Sequence, residues 1–272
     1  MSDRPLRVGA VAYDPRVVTI WEGFRDYFDE KGVPTDYVLF SNYEAQVEAL
    51  LGGVIDVAWN TNVAYVRTES RVGGGCVLLG MRDVDRGFTS RIVARNDRGI
   101  SGLEDLRGKR LAVGTADSAQ ASILPLHWLR QAGIEPDVDV ETVRFELDMG
   151  KHGDTGTSEL EVLKAIHEGK ADAGALGDPT WIRELEQGHI NSSLVKSVWT
   201  SPVYYHCNFT ALPDFDQEWG RRWSEALLAM DYNHQRWRRF MELEGLQTWM
   251  PGSKDGYASL ADALGVEAAA VS

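Results

Sequence analysis

The amino-acid sequence predicts an α/β fold made of two lobes. Short apolar runs suited to buried parallel strands alternate with segments whose apolar residues recur at helical spacing. This alternation starts again in the second half of the chain, and extended segments rich in strand-forming residues stand between the halves. Together the three observations predict two lobes of similar build joined by a two-strand hinge, with ligand-contacting loops near the carboxyl ends of the strands.

The first half opens with an apolar run at residues 6–12, which predicts a buried strand. Residues 16–30 follow with apolar side chains at helical spacing, and they predict a helix. The same pattern predicts three further elements in this half: a strand at 37–40, a helix at 43–51 and a strand at 55–59. Gly52 and Gly53 mark the end of the second helix.

The second half repeats this order of elements. It predicts strands at 110–115, 140–145 and 171–176, and helices at 119–131 and 158–168. The strands that close the two halves are preceded by similar segments, in which a helix, a glycine and an aspartate (Asp56 or Asp172) come before apolar residues. Any two strand–helix–strand units share some of this pattern, but a repeat of this kind favours two lobes of similar build.

Two extended segments, residues 89–95 and 202–212, stand where one lobe would pass the chain to the other. They predict the two strands of the hinge. Residues 218–245 are rich in Trp, Arg and Leu and predict helices that return to pack on the first lobe. The predicted division is therefore residues 1–88 and 211–272 for lobe 1, and residues 89–210, including both hinge strands, for lobe 2.

Composition and charge limit the classes of function. The 272 residues are 43% hydrophobic and 25% charged, as in ordinary globular proteins. The formal net charge of −13 argues against nucleic acid as a partner, because binding to phosphate backbones needs clustered Lys and Arg. No run approaches the roughly 20 apolar residues of a membrane span, so no membrane insertion is expected.

The first residues lack the basic and then apolar pattern of a secretory signal, and they predict a cytoplasmic protein. A periplasmic location is the alternative, if a signal peptide has been removed from the natural sequence. Cys76 and Cys207 are too few for a disulfide framework and lack the spacing of a zinc ribbon. The sequence therefore predicts no metal site and no cofactor.

Five segments resemble one known family. They read LRVGAVAYDP, NYEAQVEALLGGVIDVAW, AYV at residues 64–66, ISGLEDLRGKRLAVG and GKADAG, and they fall between Leu6 and Asp178. With them the chain resembles the phosphonate-binding family of ABC-transporter solute-binding proteins. The resemblance implies a type II periplasmic-binding-protein fold that closes about its hinge over a small oxyanion, with an ABC-transporter permease as partner.

The ligand site implied by this resemblance departs from the family. Family members carry a Ser-Thr-Ser-Gly run at the start of the helix after GLEDLRGKR, where hydroxyls and backbone N–H groups hold the anion. Here the run is Ser118-Ala119-Gln120-Ala121, and Asp117 places a carboxylate beside it. Ser118 and Gln120 remain candidate ligand contacts, although helix capping is an equal alternative for Asp117 and Ser118.

Residues 148–159, DMGKHGDTGTSE, form an insertion relative to the family. The family tends to have a histidine just before the following helix. At that place this chain has Glu159, and His152 lies upstream in a loop with three glycines. His152 or Glu159 is therefore expected to face the ligand, and the glycines predict either a mobile lid or an ordinary surface loop.

The second extended segment contains a polar stretch. In a strand, Tyr204, His206 and Asn208 share one face, which is expected to face the ligand. Three roles stay open for His206: hydrogen bonding to the ligand, proton transfer, or metal binding together with Cys76 or His152.

The other candidate contacts lie in loops after the first-lobe strands and near the first hinge strand. Aromatic and neutral polar side chains form a mixture typical of small-ligand pockets, and an arginine fork can pair with a carboxylate or a sulfonate. These candidates are Tyr13, Trp59, Asn60, Thr61, Asn62, Arg82 and Ser90. For Asn60 or Thr61, capping of the following helix is the alternative role.

The sequence thus predicts a solute-binding protein that holds one small polar or anionic molecule between its lobes. The alternative is a cytosolic enzyme on the same fold, such as a lyase, decarboxylase, desulfinase or cofactor-biosynthesis enzyme acting on a small organic acid. In that case His206, with Glu159 or Asp178, would supply the acid and the base.

Overall fold

The structure is a computed structural model that describes residues 4–266; residues 1–3 and 267–272, the ends of the predicted first lobe, lie outside the described residues. Its strands are β1 (Leu6–Val11), β2 (Thr35–Phe40), β3 (Val57–Asn60), β4 (Val77–Arg82), β5 (Ser90–Arg95), β6 (Arg110–Val113), β7 (Glu141–Arg144), β8 (Ala173–Gly177), β9 (Val195–Thr200), β10 (Asn208–Ala211) and β11 (Trp249–Met250). Its α-helices are α1 (Arg16–Glu30), α2 (Tyr43–Leu51), α3 (Asn62–Arg71), α4 (Leu124–Gln131), α5 (Thr157–His167), α6 (Asp178–Glu186), α7 (Gln217–Leu228), α8 (Gln235–Glu244) and α9 (Ala258–Ala263). None of these helices is long and apolar enough to cross a membrane.

The chain divides into two compact units. The first unit comprises Met1–Gly87 and Tyr204–Ser272, and the second unit is Phe88–Val203. The predicted second boundary, between residues 210 and 211, therefore differs from the observed one. The reason is strand pairing: β10, most of which is predicted to lie in the second lobe, pairs with β3 and β4 of the first unit.

A sheet with the strand order β11-β4-β10-β3-β1-β2 forms the centre of the first unit. Helices α1, α7 and α8 contribute aromatic side chains to its core. Phe28 stacks on Trp223 with ring centroids 4.8 Å apart, and the Tyr27 and Trp237 centroids lie 5.1 Å apart. The prediction that helices within residues 218–245 return to pack on the first lobe is confirmed.

The sheet of the second unit has the strand order β7-β6-β8-β5-β9. Place by place, this order matches β2-β1-β3-β10-β4 of the first unit, so the repeat predicted from the sequence is present as a shared topology. Both sheets are mixed, whereas the sequence pattern predicts parallel strands. Each sheet contains antiparallel as well as parallel strand pairs. The strands that follow the two crossings between units, β5 and β10, run antiparallel to their neighbours, because no returning helix precedes them.

Asp56 and Asp172 hold equivalent places in the two units. The Asp56 carboxylate accepts a hydrogen bond from the backbone N–H of Arg7 (2.8 Å), and the Asp172 carboxylate accepts one from that of Arg110 (3.0 Å). Although burial opposes the effect, hydrogen bonds from Arg4 and Arg7 lower the pKa of Asp56, and those from Arg110 lower the pKa of Asp172. Each carboxylate therefore fixes the first strand of its repeat beside the third.

Two predicted elements differ from the structure. The strand predicted at residues 202–212 is paired as a strand only over β10. The helix predicted at residues 119–131 begins as a π-helical turn, Ala119–Ile123, before α4 starts. Pro125 explains this change, because it has no N–H to donate to the carbonyl of Ala121 in a regular α-helix.

Candidate functional site

The turn after β6, in the second unit, carries the candidate contacts Ser118 and Gln120. The N–H of Ser118 donates to the carbonyl of Thr115 (3.0 Å), and the Ser118 hydroxyl accepts from the N–H of Ala121 (3.2 Å). Ser118 is therefore the N-cap of the π-helical turn, which was its alternative role. A hydroxyl that accepts one bond can still donate its proton to another partner.

Gly114 holds this turn against the end of β6. Its N–H donates to the carbonyl of Ala121 (2.9 Å), the acceptor that Pro125 leaves unused. A Cβ atom at position 114 would lie 2.8 Å from Ala121 Cβ and 2.9 Å from Ser158 Oγ. Glycine therefore permits the close approach that sets the turn beside α5.

A buried amide–carboxylate pair supports the turn. Gln120 Nε2 donates to Glu159 Oε1 (3.1 Å), and Glu159 Oε2 accepts from the N–H of Gly177 (2.7 Å). Glu159 is only 2% exposed, and this burial raises its pKa. Because Glu159 takes the amide nitrogen, the oxygen is the end of Gln120 that remains available.

Three buried oxygen atoms in this turn have no hydrogen-bond partner among residues 4–266. They are Thr115 Oγ1, Asp117 Oδ1 and Gln120 Oε1, and the three residues are 0%, 6% and 4% exposed. A buried polar atom without a partner costs about 1–3 kcal/mol, so native proteins contain few of them. Their concentration within residues 115–120 makes this turn the strongest candidate for ligand contact in the second unit.

The glycine-rich loop of residues 148–156 packs against the same turn. The N–H of Gly150 donates to Asp117 Oδ2 (2.6 Å). Gly153 has a φ of +85°, and a Cβ atom there would lie 2.5 Å from Ser118 Oγ. The loop thus contacts the turn through the backbone of Gly150 and at Gly153, where a side chain would not fit.

His152 lies in this loop and is 1% exposed. Its φ of +52° belongs to a region that non-glycine residues seldom adopt. One of its ring nitrogens lies within 4.8 Å of a carboxylate oxygen of Asp117. The structure therefore brings His152, Ser118 and Gln120 together in the second unit.

In the first unit, Asn60 belongs to a chain of buried hydrogen bonds. Gln46 Nε2 donates to Asn60 Oδ1 (2.9 Å), and Asn60 Nδ2 donates to Thr210 Oγ1 (3.1 Å). Thr210 Oγ1 then donates to Asn208 Oδ1 (2.5 Å), and Asn208 Nδ2 donates to Tyr257 Oη (2.9 Å). Both ends of the Asn60 amide are thus used, Oδ1 by Gln46 of α2 and Nδ2 by Thr210 of β10.

Thr61 and Asn62 have structural contacts at the start of α3. The Thr61 hydroxyl accepts from the N–H of Ala64 (3.2 Å), so its alternative role as N-cap is confirmed. Asn62 Nδ2 donates to the carbonyl of Tyr205 (3.2 Å), and its Oδ1 accepts from the N–H of Val63 (2.9 Å). Asn62 therefore ties α3 to the segment before β10.

Trp59 and Arg82 lie in the interior of the first unit. Trp59 Nε1 donates to Glu244 Oε1 (3.0 Å), and the ring centroids of Trp59 and Phe209 are 4.4 Å apart. Arg82 ends β4 and is not on the first hinge strand; it donates to Asp85 through Nε (2.8 Å) and Nη2 (2.9 Å), and to the Glu244 carbonyl through Nη1 (2.8 Å). The fork predicted for a ligand carboxylate thus binds a carboxylate of the protein itself.

His206 and Cys207 lie beside Asp85. His206 Nδ1 is 3.0 Å from Cys207 Sγ and 3.8 Å from Asp85 Oδ1. The predicted alternation of faces does not hold here, because residues 205–207 are not part of a strand.

The ligand atoms of Asp85, His206 and Cys207 lie within 4.8 Å of one another, which is close enough for a metal ion. However, the Asp85 carboxylate already accepts from Nε, Nη2 and the N–H of Arg82 and from the N–H of Cys207. Two carboxylate oxygens offer about four lone pairs, and these bonds use them. The arrangement is that of a buried ion pair.

The remaining candidates lie in both units. Tyr13 follows β1 and packs, half-buried, on the core of the first unit, where Tyr204 is also buried. Ser90 begins β5 of the second unit and is buried. Asp178, a candidate catalytic residue, begins α6 and forms an ion pair with Arg91.

Sequence reasoning missed Thr115 and Asp85. Thr115 is the last residue of the strand predicted at residues 110–115, and open α/β sheets place ligands at the carboxyl ends of strands. That position is a signal that could have identified Thr115. Asp85 lies three residues from its ion-pair partner Arg82, which is a local signal, whereas its bond to the N–H of Cys207, 122 positions away, has none.

A family model described as "ABC transporter, phosphonate, periplasmic substrate-binding protein" matches residues 10–257. Two curated relatives are similar to this chain. The probable ABC transporter phosphite binding protein PhnD1 of Prochlorococcus marinus is 24% identical over 207 residues, which is 74% of this chain and 66% of the relative. The phosphate-import protein PhnD of Mycolicibacterium smegmatis is 25% identical over 209 residues, or 74% of this chain and 60% of the relative. The chain therefore spans less than two thirds of the length of each.

The solved structure of PhnD1 from Prochlorococcus marinus in complex with methylphosphonate is similar with a TM-score of 0.72. The sequences are 19% identical, and the likeness covers 96% of this chain and 97% of that one. At this identity the likeness establishes the fold. The predicted type II periplasmic-binding-protein fold is confirmed.

Proposed function

We propose, because this chain belongs to the phosphonate-binding family of ABC-transporter periplasmic substrate-binding proteins, that it binds one small polar solute and delivers it to an ABC-transporter permease. The family match extends over residues 10–257 and so includes parts of both units. It supports solute binding over the alternative of an enzyme on the same fold.

The observation that carries this proposal is the turn of residues 115–120 with its three unpartnered oxygen atoms. A bound solute can satisfy such atoms without breaking hydrogen bonds inside the protein. Two of the groups that catalysis would need have other partners: Glu159 binds Gln120 and a backbone N–H, and Asp178 forms an ion pair with Arg91. This distribution of contacts favours binding over acid–base chemistry.

We propose a periplasmic location for the protein. The family is described as periplasmic, which favours this alternative over the cytoplasmic location that the first residues predict. The proposed partner is the permease of an ABC transporter, since the family takes its description from that transporter class. The names of relatives specify phosphite, phosphate and methylphosphonate, and these are the first solutes to test.

The test is thermal unfolding of the purified full-length protein with phosphonates, phosphite, phosphate, sulfonates, carboxylates and amines, followed by mass spectrometry of each mixture. A solute that binds only the folded state stabilises it by about 2.7 kcal/mol at 100 times its Kd and raises Tm. Recovery of that solute unchanged is the expected result. Recovery of an altered compound would support the enzyme alternative, and a panel without effect at millimolar concentration would contradict the proposal.

A further inference from the structure

We infer that the turn of residues 115–120, with Gly150 and Gly153 of the loop packed on it, forms a subsite for a positively charged, hydrogen-bond-donating group of the solute. An ammonium or a guanidinium is the class of group that fits. This inference rests on the proposed function and specifies which part of a solute the second unit contacts.

The unpartnered atoms of the subsite are oxygens. Asp117 Oδ1 and Gln120 Oε1 can only accept hydrogen bonds when the carboxyl is ionised, and the Thr115 hydroxyl can accept as well as donate. A solute group that satisfies all three must therefore bring N–H or O–H donors. An ammonium carries three donors and no acceptor.

Charge points to the same class of group. Asp117 is 6% exposed, and its Oδ2 receives one neutral backbone donor, the N–H of Gly150. Among the described residues, Asp117 forms no ion pair with Lys or Arg. A buried carboxylate is strongly stabilised by a cation that also donates a hydrogen bond to it.

The orientation of Gln120 keeps an acceptor in the subsite. Glu159 accepts from the amide nitrogen at 3.1 Å, and its other oxygen is held by the N–H of Gly177 at 2.7 Å. An amide turned the other way would place the Gln120 carbonyl oxygen against a carboxyl oxygen of Glu159. The neighbouring Gly177 leaves little room for a different side-chain path, since a Cβ atom there would lie 3.0 Å from Gln120 Cγ.

This polarity is opposite to the one that the family resemblance implies for the same turn. Two of the hydroxyl-bearing positions of the family run are Ala119 and Gln120 here, and the Ser118 hydroxyl accepts from the N–H of Ala121. A fully deprotonated phosphonate in this place would bring acceptors only, and Asp117 Oδ1 and Gln120 Oε1 would repel it. The subsite therefore discriminates against a phosphonate group and in favour of an amine.

The experiment is calorimetric titration of the full-length protein with three probes: methylphosphonate, aminomethylphosphonate and methylammonium. The two phosphonates differ by one amino group. We expect aminomethylphosphonate to bind at least about tenfold more tightly than methylphosphonate, as one charge-assisted contact provides. Asp117→Asn should remove most of this preference. It should either leave the Kd of methylphosphonate unchanged or decrease it.

Asp148→Asn is the matched control. It makes the same change of charge in the loop that packs on the turn, but Asp148 is exposed and has a φ of +57°, which asparagine also tolerates. It should keep the preference for the amino group. Thr115→Val, with a nearly isosteric side chain, is a second test of the subsite. It should weaken the binding of aminomethylphosphonate several-fold and leave the Kd of methylphosphonate unchanged.

Two outcomes overturn the inference. If methylphosphonate binds as tightly as aminomethylphosphonate and Asp117→Asn changes neither Kd, solute binding stands and the cation subsite does not. If neither amine-bearing probe binds at millimolar concentration, the subsite is also excluded, and the broader panel of solutes then decides whether the proposed function survives.

Discussion

Single charged residues in this protein differ in their energetic role because they differ in burial. The side chains of Arg82 and Asp85 are 16% and 0% exposed, whereas those of Arg221 and Glu218 are 56% and 64% exposed. Solvent screens the exposed pair, and such pairs contribute about 0–1 kcal/mol. Removal of one partner from a buried pair leaves a charge without compensation and costs about 3–5 kcal/mol.

Asp85→Asn should therefore destabilise the protein by about 3–5 kcal/mol, because it removes the bidentate carboxylate partner of Arg82 and leaves only the longer contact with Glu244 Oε1 (3.5 Å). Glu218→Gln makes the same chemical change at the solvent-exposed pair and should leave the free energy of unfolding nearly unchanged. Urea unfolding followed by circular dichroism measures both free energies. Equal losses in the two variants would show that the network around Asp85 is not the stabilising feature described above.

Glu159 makes stability depend on pH. Burial raises its pKa, so the folded protein keeps this proton to a higher pH than the unfolded chain does. Above the ordinary glutamate pKa of about 4.3 the unfolded state binds fewer protons, and stability falls as the pH rises toward the raised pKa. Glu159→Gln removes this contribution.

The free energy of unfolding of wild type relative to Glu159→Gln should thus decrease as the pH rises from about 4, by at most about 1.4 kcal/mol per pH unit. Urea titrations at several pH values measure it. Glu161→Gln lies on the same helix at a partly exposed position and should reproduce the wild-type slope. Parallel curves for wild type and Glu159→Gln would contradict the prediction.

Among the secondary-structure elements, the contact of the 148–156 loop with the π-helical turn depends on Gly153. Gly153 and Gly188 have similar positive φ values, +85° and +74°, but a Cβ atom at 188 meets nothing within 4 Å. Alanine at such a φ costs about 1–2 kcal/mol at either position. At 153 the Cβ would also lie 2.5 Å from Ser118 Oγ, and overpacking adds about 1–3 kcal/mol.

Gly153→Ala should therefore lose about 1–3 kcal/mol more stability than Gly188→Ala. It should also weaken solute binding, because the loop has to move away from the turn. Thermal unfolding and calorimetric titration of the two variants measure these effects. A Gly153→Ala variant as stable as Gly188→Ala, with unchanged Kd, would mean that the loop does not depend on this close contact.

Elements with local signals were predictable from the sequence, and elements that depend on distant partners were not. The bounds of α1 and α2 match the prediction, because helical spacing of apolar residues and the Asn42 cap lie within or next to the helices. The capping role of Ser118 was also open to prediction. Pro125 is a local signal for the π-helical turn, and Asp85 lies three residues from Arg82, but the contact of Arg82 with the Glu244 carbonyl on α8 has no signature in the neighbouring sequence.

At the scale of the whole molecule, each unit has core clusters of its own among residues 4–266. The clusters of the second unit contain only residues between Phe88 and Val203, which form one continuous segment. The first unit is assembled from two segments, and its core includes Phe209 of β10 in contact with Trp59 and Trp223. Folding of the second unit therefore needs no residue from outside its segment, whereas β10 needs the first unit.

The last prediction compares two fragments of the chain that differ at the second boundary. Fragment 88–203 should be a soluble monomer with one cooperative urea transition, because it contains both of the core clusters just described. Fragment 89–210, the predicted lobe, should aggregate and bind a hydrophobic dye, because it exposes Phe209, whose aromatic partners lie in the other unit. Phe209→Ser in that fragment should restore solubility. If 88–203 is unfolded while 89–210 folds cooperatively, residues 204–210 belong energetically to the second unit, and the boundary lies where the sequence predicts it.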